Sequence, residues 1–196
     1  MVLLPADYVP ALIKASYTTY SDVALKAYAQ SLGDSESSPT SNHFEYQRQR
    51  ANLLEKLKEA VEKFDLNRTY YARHQFTTEG YDFTRSGYPY GELYGSTLPY
   101  LSTPGNNKVS LYLTTQQRIT FISVPAERAE IYEKSSVTLG NNAHTLYARV
   151  YFRLLPAESY TENDSHVYRT NINLLGLDAY EYPHCAYYHL GSGKAE

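Results

Sequence analysis

The stretch that decides the fold is residues 144–155, which read HTLYARVYFRLL. Apolar side chains alternate there with polar or aromatic ones, and a period of two is typical of a β-strand with one buried face. The predicted core face consists of Leu146, Ala148, Val150, Phe152 and Leu154. The other face carries Tyr147, Arg149, Tyr151 and Arg153. The strand is therefore predicted to have one core face and one amphipathic face.

The hydrophobic period changes near Asn67, upstream of this strand. Residues 43–65 predict an amphipathic helix, because their apolar side chains recur at helical spacing. That stripe is formed by Phe44, Ala51, Leu54, Leu57, Val61 and Phe64. Beyond Asn67 strand patterns dominate, including a predicted hairpin of 109–114 with 118–124 and one short helix from about residue 124 to 132. This order favours an α+β fold with a mainly antiparallel sheet packed against the amphipathic helix.

The chain is predicted to divide into four parts. Residues 1–33 have two short helical patterns, the second beginning after Ser21 as an N-cap, and are interpreted as an N-terminal helical appendage. Residues 34–41 are polar and contain a proline, which is typical of a linker. The α+β domain follows over 42–190, and residues 191–196 are expected to be a flexible tail.

Composition excludes two classes of protein. The 196 residues carry 18 Lys and Arg against 21 Asp and Glu, so no positive excess favours nucleic acid as a partner. The mean hydropathy of −0.52 and the lack of a long apolar run argue against a membrane span. The 22 tyrosines and the absence of tryptophan predict many rings on half-buried sheet faces, with the hydroxyls in water.

Two short stretches resemble those of an uncharacterised family of exported bacterial domains. They are Tyr-Asp-Phe at 81–83 with Gly-Tyr-Pro at 87–89, and Val124-Pro125 with Ala129 after it. The resemblance covers about residues 42–182 and implies an extracytoplasmic, non-enzymatic module with no established activity. We therefore expect a mature periplasmic or secreted domain, with a cytoplasmic protein as the alternative.

A tyrosine-rich segment is the leading candidate for partner binding. Tyr88, Tyr90, Tyr94 and Tyr100 lie in a stretch interrupted by Gly and Pro, and rigid tyrosine surfaces suit a protein, peptide or glycan partner. The alternative is that these rings pack in the core and at the sheet edge. The amphipathic face of 144–155 could form a similar patch, but we expect a helix, such as that over 43–65, to cover it.

His184, Cys185 and His189 are the weak candidates for a metal site. Zinc requires three or four ligands, usually in spaced pairs, and the adjacent His184 and Cys185 have no second pair. Cys185 also has no recognisable activating base. We therefore expect no metal, no cofactor and no identifiable catalytic residue.

These observations favour a non-catalytic interaction or ligand-binding module of an exported bacterial protein. Two alternatives stay open. One is a hydrolase or transferase with an unrecognised site, which predicts a pocket with convergent titratable side chains. The other is a homo-oligomeric structural component joined through tyrosine-rich strand edges.

Overall fold

The computed structural model describes residues 1–33, 43–90, 100–104, 106, 108–138, 145–157, 166–182 and 188–196. The helices in this part of the chain are α1 (Pro5–Lys14), α2 (Asp22–Ser31), α3 (His43–Lys63) and α4 (Ala126–Thr138). The strands are β1 (Tyr70–Thr77), β2 (Gly87–Pro89), β3 (Tyr100–Ser102), β4 (Ser110–Thr114), β5 (Phe121–Ser123), β6 (Thr145–Leu154), β7 (Val167–Tyr180) and β8 (His189–Lys194). The predicted α+β class is confirmed.

The sheet is built around β6, which is the strand quoted first. It pairs antiparallel with β1 on one side and with β7 on the other, and the main path runs β1-β6-β7-β8-β5-β2. Strand β7 has 14 residues, so its first part pairs in parallel with β4 and its last part pairs antiparallel with β8. The β4–β7 ladder is the one parallel pairing between named strands of the described residues.

The predicted hairpin of 109–114 with 118–124 is wrong. Strand β4 pairs with β3 and β7, whereas β5 pairs with β2 and β8. The segment that connects β4 to β5 lies where β7 stops pairing with β4 and begins to pair with β8. In this gap the side chain of Gln117 accepts a hydrogen bond from the backbone N–H of Leu174 at 2.7 Å. This contact satisfies a donor that neither flanking strand reaches.

The core lies between the helices and one face of the sheet. All five predicted core residues of β6 are buried, with Leu146 and Phe152 fully inaccessible. Helix α3 contributes the C-terminal half of its predicted stripe, and the ring of Phe64, directly after the helix, stacks on Tyr70 at 5.1 Å between centroids. The N-terminal end of that stripe is not in the core, since Phe44 is 76% exposed.

The N-terminal helices form as predicted and share this core. The Ser21 hydroxyl accepts a hydrogen bond from the Ala24 N–H, as expected of an N-cap. Leu12 and Leu25 are buried in the same hydrophobic cluster as the sheet. The Tyr17 hydroxyl also accepts a 2.8 Å hydrogen bond from the Asn171 N–H on β7. The predicted linker 34–41 lies outside the described residues.

Hydrophobicity and length together rule out a membrane span for each helix in the described ranges.

The predicted flexible tail over 191–196 is wrong, because most of this segment belongs to β8. This strand lies between β7 and β5, and the Glu196 backbone also pairs with that of Arg118. Gly191 allows the close approach: a Cβ there would lie 2.0 Å from the Ser123 carbonyl oxygen. Glycines that resemble a loose tail in the sequence are thus the residues that let β8 enter the sheet.

Gly191→Ala is expected to lower the free energy of unfolding by about 1–3 kcal/mol or more, because the added methyl group overlaps the β5 backbone. Urea unfolding monitored by circular dichroism measures this. Gly80→Ala is the matched control, since no atom lies within 4 Å of its built Cβ and its stability should stay the same or rise slightly. Equal stability of the two variants would contradict the observed position of β8.

Candidate functional site

The tyrosines singled out at 88 and 90 are buried. Tyr88 is fully inaccessible, and its hydroxyl donates to Glu133 Oε1 at 2.8 Å. The ring of Tyr90 packs edge-on against Phe76 at 4.8 Å. Core packing, the alternative interpretation, is therefore what the structure shows for these two rings. Tyr94 and the side chain of Tyr100 lie outside the described residues.

The C-terminal cluster is only partly described. His184 and Cys185 lie outside the described residues, while His189 opens β8 with its ring 5.5 Å from that of Tyr180. The described ranges contain no group of three His, Cys, Asp or Glu side chains arranged to hold a metal ion.

The face of the sheet opposite the core carries a different set of aromatic and charged side chains, which we call the open face. They belong to β1, β6, β7 and β8 and are Tyr71, Arg73, Gln75, Tyr147, Arg149, Tyr151, Arg153, Asp178, Tyr180, His189 and Ser192. The expectation that the helix over 43–65 covers this face is wrong, because Leu57 and Val61 of α3 lie in the core, and Phe64, directly after α3, packs on Tyr70 there. The residues of β6 on the open face are half-buried or exposed.

Arg149 is at the centre of the open face. Its guanidinium carbon lies 4.9 Å from the centre of the Tyr180 ring and 5.3 Å from that of Tyr71. Arginine over the face of a tyrosine ring is attracted by the negative π-face, by about 0.5–1 kcal/mol at exposed sites. Arg149 is therefore held in place by two neighbouring strands.

Beside Arg149 lies a cavity of about 200 Å³. Its walls include two arginines and three tyrosines from β1, β6 and the end of β7. The lining residues are Arg73, His74, Gln75, Tyr147, Ala148, Arg149, Tyr180 and Tyr182. The cavity thus combines cationic groups with flat apolar surfaces.

Asp178 organises the polar side of the open face. It accepts hydrogen bonds from the Tyr151 hydroxyl at 2.8 Å and from Ser192 Oγ at 2.7 Å. Burial, together with the hydrogen bond to Asp178, raises the pKa of Tyr151. Tyr151 consequently stays a neutral donor, and the carboxylate of Asp178 keeps both hydroxyls oriented.

Ser192, His189 and Asp178 are close together, but their arrangement is not that of a catalytic triad. His189 Nε2 lies 3.2 Å from Ser192 Oγ and 3.6 Å from Asp178 Oδ1. In a triad one ring nitrogen takes the serine proton while the acid holds the other nitrogen. Here the same nitrogen faces both groups, and the serine hydroxyl donates to the acid. This geometry orients Ser192 and does not activate it as a nucleophile.

A second cavity, of about 260 Å³, lies between α2 and α3. Leu25, Ala29 and Leu53 supply its apolar lining, and Arg50 at its wall forms a 2.6 Å ion pair with Asp22. The arginine of this cavity is therefore already neutralised by an acid, which distinguishes it from Arg149 on the open face.

His74 is a half-buried titratable residue on β1. Its ring lies near Phe76, and its Nε2 atom is buried without a hydrogen-bond partner, the one such side-chain atom found in the described part of the chain. Burial lowers the pKa of the imidazole, because the charged form loses its hydration. His74 is therefore held in the neutral form.

The sequence signalled one strand of the open face. Period-two alternation placed Tyr147, Arg149 and Tyr151 together on β6, but it did not identify Tyr71 and Tyr180 as the rings that flank Arg149. Those contacts join strands that are distant in sequence, so alternation within a single strand cannot reveal them.

A family model described as "Domain of unknown function (DUF4852)" matches residues 21–135, more than half of the chain. The matched region extends from the N-cap of α2 into α4 and ends before β6. The resembling stretches at 81–89 and 124–129 fall within it. A search of curated proteins and a search of solved structures each find no match.

Tyr88→Phe is expected to destabilise the fold by about 1–3 kcal/mol, because Glu133 loses the hydroxyl that donates to it in a partly buried site. Chemical denaturation measures the change. Tyr188→Phe, at a ring that is 50% exposed, should alter stability by less than about 0.5 kcal/mol. A neutral effect of Tyr88→Phe would show that the buried hydroxyl does not contribute to stability.

His74 predicts a loss of stability in mild acid. Its folded pKa is below the unfolded value of about 6.5, so the unfolded state binds the proton first as the pH falls. The free energy of unfolding should decrease below about pH 6.5, by at most about 1.4 kcal/mol per pH unit from this group, until the lowered folded pKa is reached. Urea unfolding at pH 7.5 and 5.5 measures the difference.

His74→Leu should reduce this difference, because the variant has no imidazole to titrate. His166→Asn is the control, since it removes another histidine at a position with φ +55°, where asparagine is tolerated. The same pH dependence in wild type and His74→Leu would exclude His74 as the source.

Proposed function

The chain belongs to this family of domains of unknown function, and we propose that it is a non-catalytic ligand-binding module of an exported bacterial protein. The open face is the proposed binding surface. The observation that carries the proposal is the position of Arg149, which is held between Tyr71 and Tyr180 beside a cavity.

The composition of the open face supports binding. Tyrosine and arginine are enriched at recognition surfaces, because each gives a large contact area with hydrogen-bonding groups at its tip. The rings of Tyr71 and Tyr151 contact each other at 5.8 Å, and the Tyr151 hydroxyl is fixed by Asp178. Side chains that are already ordered lose little entropy when a partner binds.

The exported setting is part of the proposal and has separate support. It rests on the resemblance of the 81–89 and 124–129 stretches to exported bacterial domains. A periplasmic or secreted location is therefore proposed, with a cytoplasmic one as the alternative.

The two other functions receive less support from the geometry. The orientation of Ser192 toward Asp178 does not favour a hydrolase. For a homo-oligomer, β1 ends the main strand path, but the backbone of its Tyr71 already pairs with Met1 and Leu3. Exposed Arg73 lies on that edge, and charged edge residues oppose pairing between copies.

Arrays of peptides and glycans test the binding function directly. We expect the wild-type chain to bind a defined subset of the arrayed compounds. Tyr147→Ser should weaken that binding by roughly tenfold, because it removes one aromatic wall of the cavity. Tyr20→Ser, at a 41% exposed ring far along the chain from β6, is the matched control and should bind as wild type does.

A fluorophosphonate probe tests the hydrolase alternative. No labelling of Ser192 is expected, because its hydroxyl donates to Asp178. Labelling of Ser192 that disappears in His189→Asn would contradict a non-catalytic module.

In the array experiment, binding that is unaffected by Tyr147→Ser would contradict the open face as the binding site.

A further inference from the structure

We infer that the cavity of the open face binds an oxyanion carried on a planar aromatic body, such as an aryl carboxylate or aryl phosphate. The inference rests on the proposed function and names the ligand class for the same surface. Arg149 is the residue that would hold the oxyanion, and the surrounding rings would hold the aromatic body.

The first argument is the electrostatic state of Arg149. The described residues offer it two rings and no acid within ion-pair distance. The carboxylate at the paired position on β7 is Asp178, whose oxygens accept from Tyr151 and Ser192. Within the described part of the chain the guanidinium is thus oriented without an ion-pair partner, and an oriented guanidinium presents parallel N–H donors that match two oxygens of one oxyanion.

The second argument is the sign of the surrounding charge. Arg73 occupies the position directly opposite Arg149 in the β1–β6 register, and Arg153 lies two residues along the same face of β6. Like charges at directly opposed positions destabilise a sheet. An anion beside Arg149 would reduce the repulsion between these two guanidinium groups.

The third argument is the shape and lining of the cavity. Its volume of about 200 Å³ accommodates a single ring with its anionic group, rather than an extended chain. Tyr147, Tyr180 and Tyr182 supply flat apolar walls that favour stacked or edge-on contact with another ring. Cation and rings together select a ligand that has both features.

Titration of the ¹⁵N-labelled chain with benzoate, phenyl phosphate and benzamide tests the inference. Benzamide has the ring without the charge, and the two anions distinguish a carboxylate from a phosphate. We expect at least one anion to bind roughly tenfold more tightly than benzamide, since charge-assisted hydrogen bonds are the stronger kind. Shifts should be confined to the amides around Tyr147, Arg149 and Tyr180.

Arg149→Gln should reduce anion binding to the benzamide level, and Arg48→Gln, at an exposed position of α3 outside the cavity lining, is the matched control. Arg149→Lys retains the charge but loses the planar donor pair, so it should bind the anion more weakly than wild type. If Arg149→Gln fails to fold, Arg149→Lys is the test of the inference. An anion affinity of Arg149→Lys within twofold of the wild-type value would overturn the inference.

Equal binding of both anions and benzamide by the wild-type chain would also overturn it. If array binding still depends on Tyr147 in that case, the inference fails while the proposed function stands. If no arrayed compound binds through the open face, the proposed function fails as well.

Discussion

The register of β6 against β1 and β7 is the constraint on which the rest of the structure depends. Burial of the alternate apolar side chains of β6 fixes this register, because a slip of one residue would move Leu146, Val150 and Phe152 to the open face. The same register places Arg149 opposite Arg73 on β1 and Asp178 on β7. Core formation and the geometry of the open face are therefore consequences of one pairing.

The sequence predicted features that depend on nearby residues. The two faces of β6, the C-terminal half of α3 and the Ser21 cap each follow from periodicity or from a side chain a few residues away. The predicted hairpin failed because β4 pairs with β3 and with the first part of β7, whereas β5 pairs with β2 and β8. The tail prediction for residues 191–196 failed because Gly191 permits contact with Ser123, 68 residues earlier, and no local pattern reveals that contact.

The candidate site shows the same division. Tyrosine is both apolar and hydrogen-bonding, so composition cannot tell a buried ring from a recognition surface. Tyr88 is inaccessible with its hydroxyl on Glu133, whereas Tyr147 lines a cavity. The two tyrosines differ because the strands on which they lie have different positions in the sheet and are buried to different extents. Arg149 acquires its properties from Tyr71 and Tyr180, whose distances in sequence hide the contact.

The place of β8 has a consequence for the order of assembly. Of the strands in the described ranges it comes last in chain order, yet it joins the β5–β2 pair to β7. While a ribosome is still producing the chain, β7 and β5 expose backbone donors and acceptors at facing edges, and such edges invite pairing with other molecules. The interval before β8 emerges is thus one in which these two edges can pair with other molecules, and completion of the sheet waits for β8.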